Sequence, residues 1–219
     1  MVSGILLCVS CDLAVQQGIY NKDFLGIMLK IIIPPVVFMI PLIYLYFRSE
    51  NQTPSLDHYQ QPKWIPVAVF SLIIGIGMGG FVDGILLHQL LQWHQMISNQ
   101  LEPVDLTSKN INMFWDGIFH VITWTATLTG ILFMWRSRKN SHLNLSNWLF
   151  AGGLIAGWGI FNFIDSIFNH YLFGFHNVRE NVVGIEWWNL GFLIVAVLLI
   201  LIGGLMMWKG KNIHAKIQM

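Results

Sequence analysis

Apolar residues gather into five long runs along the chain, at about 26–47, 65–97, 112–135, 148–174 and 186–208, with shorter polar stretches between them. A helix needs about 20 predominantly apolar residues to cross the hydrocarbon of a bilayer, and each run reaches that length. The pattern predicts an all-α fold: a polytopic membrane helical bundle of about five transmembrane helices. The second run exceeds a bilayer's thickness, so it is expected to tilt or to protrude beyond the headgroups. Residues 1–25 form an N-terminal segment, 26–63 the first span and its loop, and 64–219 a four-helix membrane bundle with a short tail.

The polar positions inside those runs are the informative ones. Asp83, His88 and His94 read Asp-x4-His-x5-His, and Asp165, His170 and His176 repeat that spacing 82 residues later. The segments around them also match at Gly75/Gly157, Gly77/Gly159, Phe81/Phe163, Ile85/Ile167 and Leu90/Leu172. Hydrophobicity alone does not reproduce polar positions, so the four-helix unit is read as an internal repeat. Asp116 and His120 in the third span have no evident polar counterparts in the fifth. Charged and imidazole side chains are costly in hydrocarbon and usually face a bundle interior where they carry function.

Charge changes the picture in two ways. Charged residues are only 11% of the chain and the net charge is +1, which argues against a nucleic-acid partner and leaves the lipid bilayer as the expected surroundings. Arg136, Arg138 and Lys139 follow the third span, and Lys209, Lys211 and Lys216 follow the fifth. The positive-inside rule then places the C-terminus in the cytoplasm and the N-terminus outside. On this topology both repeat segments run outward, as parallel repeats about an axis along the membrane normal. His94, His176, Asp116, His120 and Glu186 fall toward the external face.

Straight-helix geometry sets expectations for the site. His88 and His170 are expected roughly 9 Å below His94 and His176, in one layer with His120. Asp83 and His94 are about 16 Å apart in height on a straight helix, so no single repeat is expected to surround an ion. A site must therefore be assembled across helices, as in bundle metalloproteins. The expected metal ligands are His88, His120 and His170, with His94 and His176 above them. Asp83, Asp116, Asp165, Glu186 and Arg179 are further ligands or orienting groups. Imidazole suits zinc and copper among other metals, so a copper or zinc ion is the expected cofactor. Haem held axially by His88 and His170 is an alternative. So is a metal-dependent hydrolase in which Asp116 or Asp165 takes a proton from water. The chain does not decide whether it is an enzyme. Met96 and Met113 offer thioethers near the outer loop. Cys8 and Cys11 form a soft-metal pair, a strained disulfide or two small residues of a loosely packed terminus.

The strings GGFVDGILLHQLLQWHQM (79–96), FWDGIFHVITW (114–124), GWGIFNFIDSIFNHYLFGFHNVRE (157–180) and WWNLGFL (187–193) resemble a family of predicted bacterial multi-pass membrane proteins of unknown function. The resemblance covers about 65–208 and implies motif positions at Asp83, His88, His94, Asp116, His120, Asp165, His170, His176 and Arg179. Members are often associated with cytochrome c oxidase assembly proteins. That implies copper or haem handling outside the cytoplasm, an inner-membrane location and oxidase assembly factors as partners. Gln95 and Asn177 stand where the family often has a second histidine, aspartate stands at 165 where glutamate is frequent, and Tyr171 replaces a common histidine. The outer ligand layer is thinner here, which weakens a two-metal reading.

Overall fold

The computed structural model describes residues 12–50, 62–139 and 142–217; Cys8 and Cys11 lie outside them. Among the described residues there are six helices: α1 (Leu13–Ile19), α2 (Phe24–Glu50), α3 (Ile65–Val82), α4 (Leu106–Ser137), α5 (Asn147–Asp165) and α6 (Ile185–Ile217). α3 and α5 each continue as a wider helical segment, over Asp83–Leu90 and Ser166–Leu172. Five helices are long and apolar enough to cross a membrane: Phe24–Glu50, Ile65–Leu90, Leu106–Ser137, Asn147–Leu172 and Ile185–Asn212.

Local chemistry explains where the helices begin. Asp105 caps α4 by accepting the Ser108 N–H at 2.8 Å, while the Ser108 hydroxyl accepts the Asp105 N–H. That reciprocal box satisfies two donors that a helix start leaves open. Pro66 sits in the first turn of α3, where its missing N–H is no loss. α1 is capped by Asp12, which accepts the Ala14 N–H at 2.8 Å. Its Val15 and Ile19 are buried in one apolar cluster with Ile111 and Trp115 of α4. The described part of the N-terminal segment is therefore packed against the bundle, where the sequence alone allowed a loose terminus.

α3 and α5 are the central pair. Of the most apolar stretch of each span, 67% is buried in α3 and 50% in α5, against 17% in α2, 22% in α4 and 11% in α6. The two cross where Gly75 abuts the Leu154 carbonyl and Gly157 abuts the Leu72 carbonyl. Those contacts exchange under the 82-residue offset, so a pseudo-two-fold axis runs between the helices. α4 flanks α3 at Gly77, where a Cβ would stand 2.6 Å from the Thr123 carbonyl oxygen. α6 flanks α5 at Gly159, where a Cβ would stand 2.8 Å from the Ala196 carbonyl oxygen. Small residues allow such backbone approach in lipid.

The last turns of α3 and α5 depart from straight α-helix in the same way. Leu91 N–H donates to the Leu86 carbonyl and Phe173 N–H to the Phe168 carbonyl, both at 2.8 Å and five residues apart. Trp93 N–H then reaches the Leu87 carbonyl at 2.9 Å and Phe175 N–H the Asn169 carbonyl at 2.8 Å. Between them Gln92 (φ 49°) and Gly174 (φ 58°) turn left-handed, a conformation that glycine adopts without strain and other residues seldom do. Widened turns of this kind concentrate at functional sites. Here they reverse the chain and fold the residues that follow back onto the helix ends.

At the opposite end, Lys63 N–H donates to the His142 carbonyl at 2.7 Å, tying the α2–α3 and α4–α5 loops together. Arg136 pairs with Glu50 at 2.9 Å on that side. Lys63, Arg136 and Glu50 thus lie at the end of the bundle opposite the buried histidines.

Candidate metal centre

His94 and His176 lie over the ends of α3 and α5 and are buried. Each is anchored by the other repeat. His94 Nδ1 donates to the Val178 carbonyl at 2.8 Å, and His176 Nδ1 donates to the Met96 carbonyl at 3.0 Å. Val178 and Met96 are themselves 82 residues apart, so the crossing follows the pseudo-symmetry. A carbonyl only accepts, so Nδ1 carries a proton, and in the neutral ring Nε2 then keeps its lone pair. His88 is set the same way, with Nδ1 at 2.8 Å from Asp116 Oδ1.

The rings then converge. His94 and His176 stack with centroids 4.4 Å apart and planes at 11°. His88 stands 4.4 Å from His94, and His170 stands 5.0 Å from His176. Ligand atoms of His88, His94 and His176 lie within 4.8 Å of one another, and so do those of Asp165, His170 and His176. The Nε2 atoms of all four histidines are buried and have no hydrogen-bond partner in the protein. His88 Nε2 is 3.1 Å from Asp83 Oδ2, and His170 Nε2 is 3.0 Å from Asp165 Oδ2, yet neither nitrogen has a partner in hydrogen-bonding alignment. Close, misaligned donor atoms of this kind are what neighbouring ligands of one ion look like. Nitrogen ligands about 2.0–2.1 Å from a tetrahedral ion stand roughly 3.4 Å apart. Leaving a buried polar group unpaired costs about 1–3 kcal/mol, so lone pairs gathered at one point are a poor device for stability alone.

The geometry corrects three expectations. His94 is not a level above His88, because the widened turns and the left-handed residue bring it back beside that ring. For the same reason one repeat does gather its own triad: Asp165, His170 and His176 meet, which a straight helix forbids. The layer of His88, His120 and His170 is not the one assembled. His120 Nδ1 donates to the Asp116 carbonyl at 2.7 Å on its own helix. Its ring lies against Gly84, where a Cβ would stand 2.7 Å away, and it belongs to neither ligand group.

Asp116 also has a counterpart after all. Its Oδ1 accepts the Met96 N–H at 2.8 Å, and Asn189 Oδ1 accepts the Val178 N–H at 2.9 Å. Phe119 stacks on His88 at 5.7 Å, and Phe192 lies 5.5 Å from His170. α6 therefore repeats α4 at an offset of 73 residues, because the second connection is nine residues shorter. The sequence signal was present in Phe-Trp-Asp-x-x-Phe (114–119) and Trp-Trp-Asn-x-x-Phe (187–192). His120 corresponds to Leu193, and Asn189 lacks the charge of Asp116.

The remaining expected residues fall around this core. Arg179 lies between the Trp93 and Trp188 rings, 5.0 Å from each. Glu186 is exposed at the start of α6. Met96 is buried and contributes backbone groups; Met113 is exposed. Asn169, not anticipated, donates to Asp165 Oδ1 at 2.7 Å. Asp83, Asp116 and Asp165 are all buried, and among the described residues no lysine or arginine is. Burying an ion costs several kcal/mol unless it is compensated. A cation held by the imidazoles would supply that compensation, and the donor set fits a transition-metal ion.

No curated protein and no solved structure matches the chain. A family model described as a predicted membrane protein matches residues 70–210, which span all four histidines and both repeats. The chain belongs to the DUF2243 family of predicted membrane proteins.

Proposed function

We propose that this protein is a membrane metal-binding protein whose histidine–aspartate cluster holds a transition metal ion, copper being the favoured ion, for delivery to a respiratory oxidase. The observation that carries the reading is the set of imidazoles whose Nδ1 atoms bond to carbonyl and carboxylate oxygens while their buried Nε2 atoms have no hydrogen-bond partner. That is how histidine ligands are held when an outer group fixes their tautomer. His88, His94, His170 and His176 would supply the ligands, and Asp116 would orient His88. An ion there supplies Lewis acidity or an exchangeable cargo. The rings of His94 and His176 stand 4.4 and 5.6 Å from His88 and 6.4 and 5.0 Å from His170, and this crowding beside the two expected axial ligands favours a bare ion over haem.

The placement of basic residues at the far end of the bundle favours an extracytoplasmic site in a bacterial inner membrane, with the N-terminus outside. Copper delivery to oxidase assembly factors rests on the family resemblance. Metal analysis of protein purified in detergent, and equilibrium dialysis against copper and zinc, test the reading. We expect bound copper or micromolar affinity that the double substitution His94→Ala/His176→Ala abolishes. Absence of binding by the wild type would overturn it.

A second reading is a metal-dependent hydrolase acting on a lipid-like substrate. It is favoured by an apolar cavity of about 350 Å³ between α2, α4 and α5 whose lining includes Asp165 and Asn169. A hydrolase assay on lipid substrates, repeated with Asp165→Asn, distinguishes it from a carrier.

A further inference from the structure

We infer that the cluster takes two metal ions in unequal positions, one served by each repeat: His88 and His94 in the first, with Asp83 beside His88, and His170 and His176 with Asp165 in the second. This inference rests on the metal-binding reading above and specifies its stoichiometry and its asymmetry.

Lone-pair counting leads to two ions. His176 belongs to both ligand groups, but its Nδ1 is committed to the Met96 carbonyl. Only Nε2 is available, and one imidazole nitrogen binds one ion. An ion taken by His88, His94 and His176 would leave His170 Nε2 and Asp165 Oδ2 buried and unpaired. An ion taken by Asp165, His170 and His176 would leave His88 and His94 so. Two ions leave none of these atoms stranded. The short carboxylate–imidazole approaches, 3.1 Å in one repeat and 3.0 Å in the other, mark one ligand pair per position. Three buried carboxylates, with no buried lysine or arginine among the described residues, give the charge that a second cation compensates. The missing second histidines at Gln95 and Asn177 do not count against this, since the ligands come from the folded-back His94 and His176.

The asymmetry comes from the residue behind each inner histidine. His88 Nδ1 is held by the Asp116 carboxylate at 2.8 Å. In the second repeat Asn189 occupies the corresponding place, its oxygen on the Val178 N–H and its amide on Asn177. His170 Nδ1 has no partner in the protein. A carboxylate behind a ligating imidazole raises its basicity, and loss of such a partner typically lowers affinity about 10–100-fold. The first position is the tighter one.

The test is a Cu(II) titration of the full-length protein in detergent, with bound copper and protein quantified after desalting. Two ions per chain are expected, in two steps at least about tenfold apart in affinity. His170→Ala and Asp165→Asn should each keep one ion at the tighter affinity, and His88→Ala one ion at the weaker. Wild-type saturation at one ion would overturn the inference while leaving the metal-binding reading intact. Absence of binding by the wild type would overturn both. The wild-type stoichiometry needs no variant, so the inference stays falsifiable if a substituted chain does not fold.

Discussion

Replacing Asp116 by asparagine isolates the role of one carboxylate while sparing the fold. Asp116 Oδ1 accepts two bonds of 2.8 Å, one from His88 Nδ1 and one from the Met96 N–H. An asparagine oxygen can keep the Met96 N–H, as Asn189 already does for Val178 at 2.9 Å. What is lost is the negative charge behind His88. Charge-assisted hydrogen bonds are roughly twice as strong as neutral ones, and removing such an orienting group typically costs 10–100-fold in metal affinity. That is about 1.4–2.8 kcal/mol of binding free energy. Stability without metal should change far less than the ~3–5 kcal/mol expected when a buried pair loses a partner outright, since the substitution removes a buried charge and retains the acceptor. Competition titration with a chelator of known copper affinity reads the first quantity, and thermal melting of the apoprotein reads the second. Unchanged affinity in Asp116→Asn, with an unchanged melt, would refute the claim that this carboxylate tunes a ligand.

Other substitutions test separate parts of the account. His120→Ala should leave metal stoichiometry unchanged in dialysis, because its ring lies outside both ligand groups; loss of an ion would restore it to the site. Gly157→Ala would push a Cβ into the Leu72 carbonyl and to 2.9 Å from the Gly75 Cα, and overpacking of this kind costs about 1–3 kcal/mol. A detergent melt should register that loss; no change would mean the central helices are not in such close contact. Asp105 lies outside the spans, and its carboxyl is held below the usual range by the bond from the Ser108 N–H, helped by the Ser108 hydroxyl. Its stabilisation is present above the unfolded-state pKa and is lost as pH falls through the lower folded value. Asp105→Asn should flatten that acidic part of a stability–pH profile, and an unaltered slope would contradict the cap.

Much of the fold could be read from the chain, because spans depend on length and hydropathy and the repeat on polar residues at fixed spacing. Asp83, His88, Asp165 and His170 were recognisable for that reason. The meeting of His94 and His176 with them was not, since it depends on two widened turns and left-handed residues at Gln92 and Gly174. Hydrophobic periodicity carries no mark of a turn that admits one more residue. Asn189 was hidden differently: aligned at the offset of α3 and α5, Asp116 falls opposite Leu198, and the shorter connection must be allowed for before the two pair. His120 looked equivalent to the other histidines because composition does not show that its Nδ1 turns back to its own helix.

The most direct test is an anomalous-difference map from crystals grown with copper, recorded at the copper absorption edge. The account predicts copper density among the Nε2 atoms of His88, His94, His170 and His176. Anomalous peaks confined to surface residues, with those four rings bonded to one another or to water instead, would contradict it.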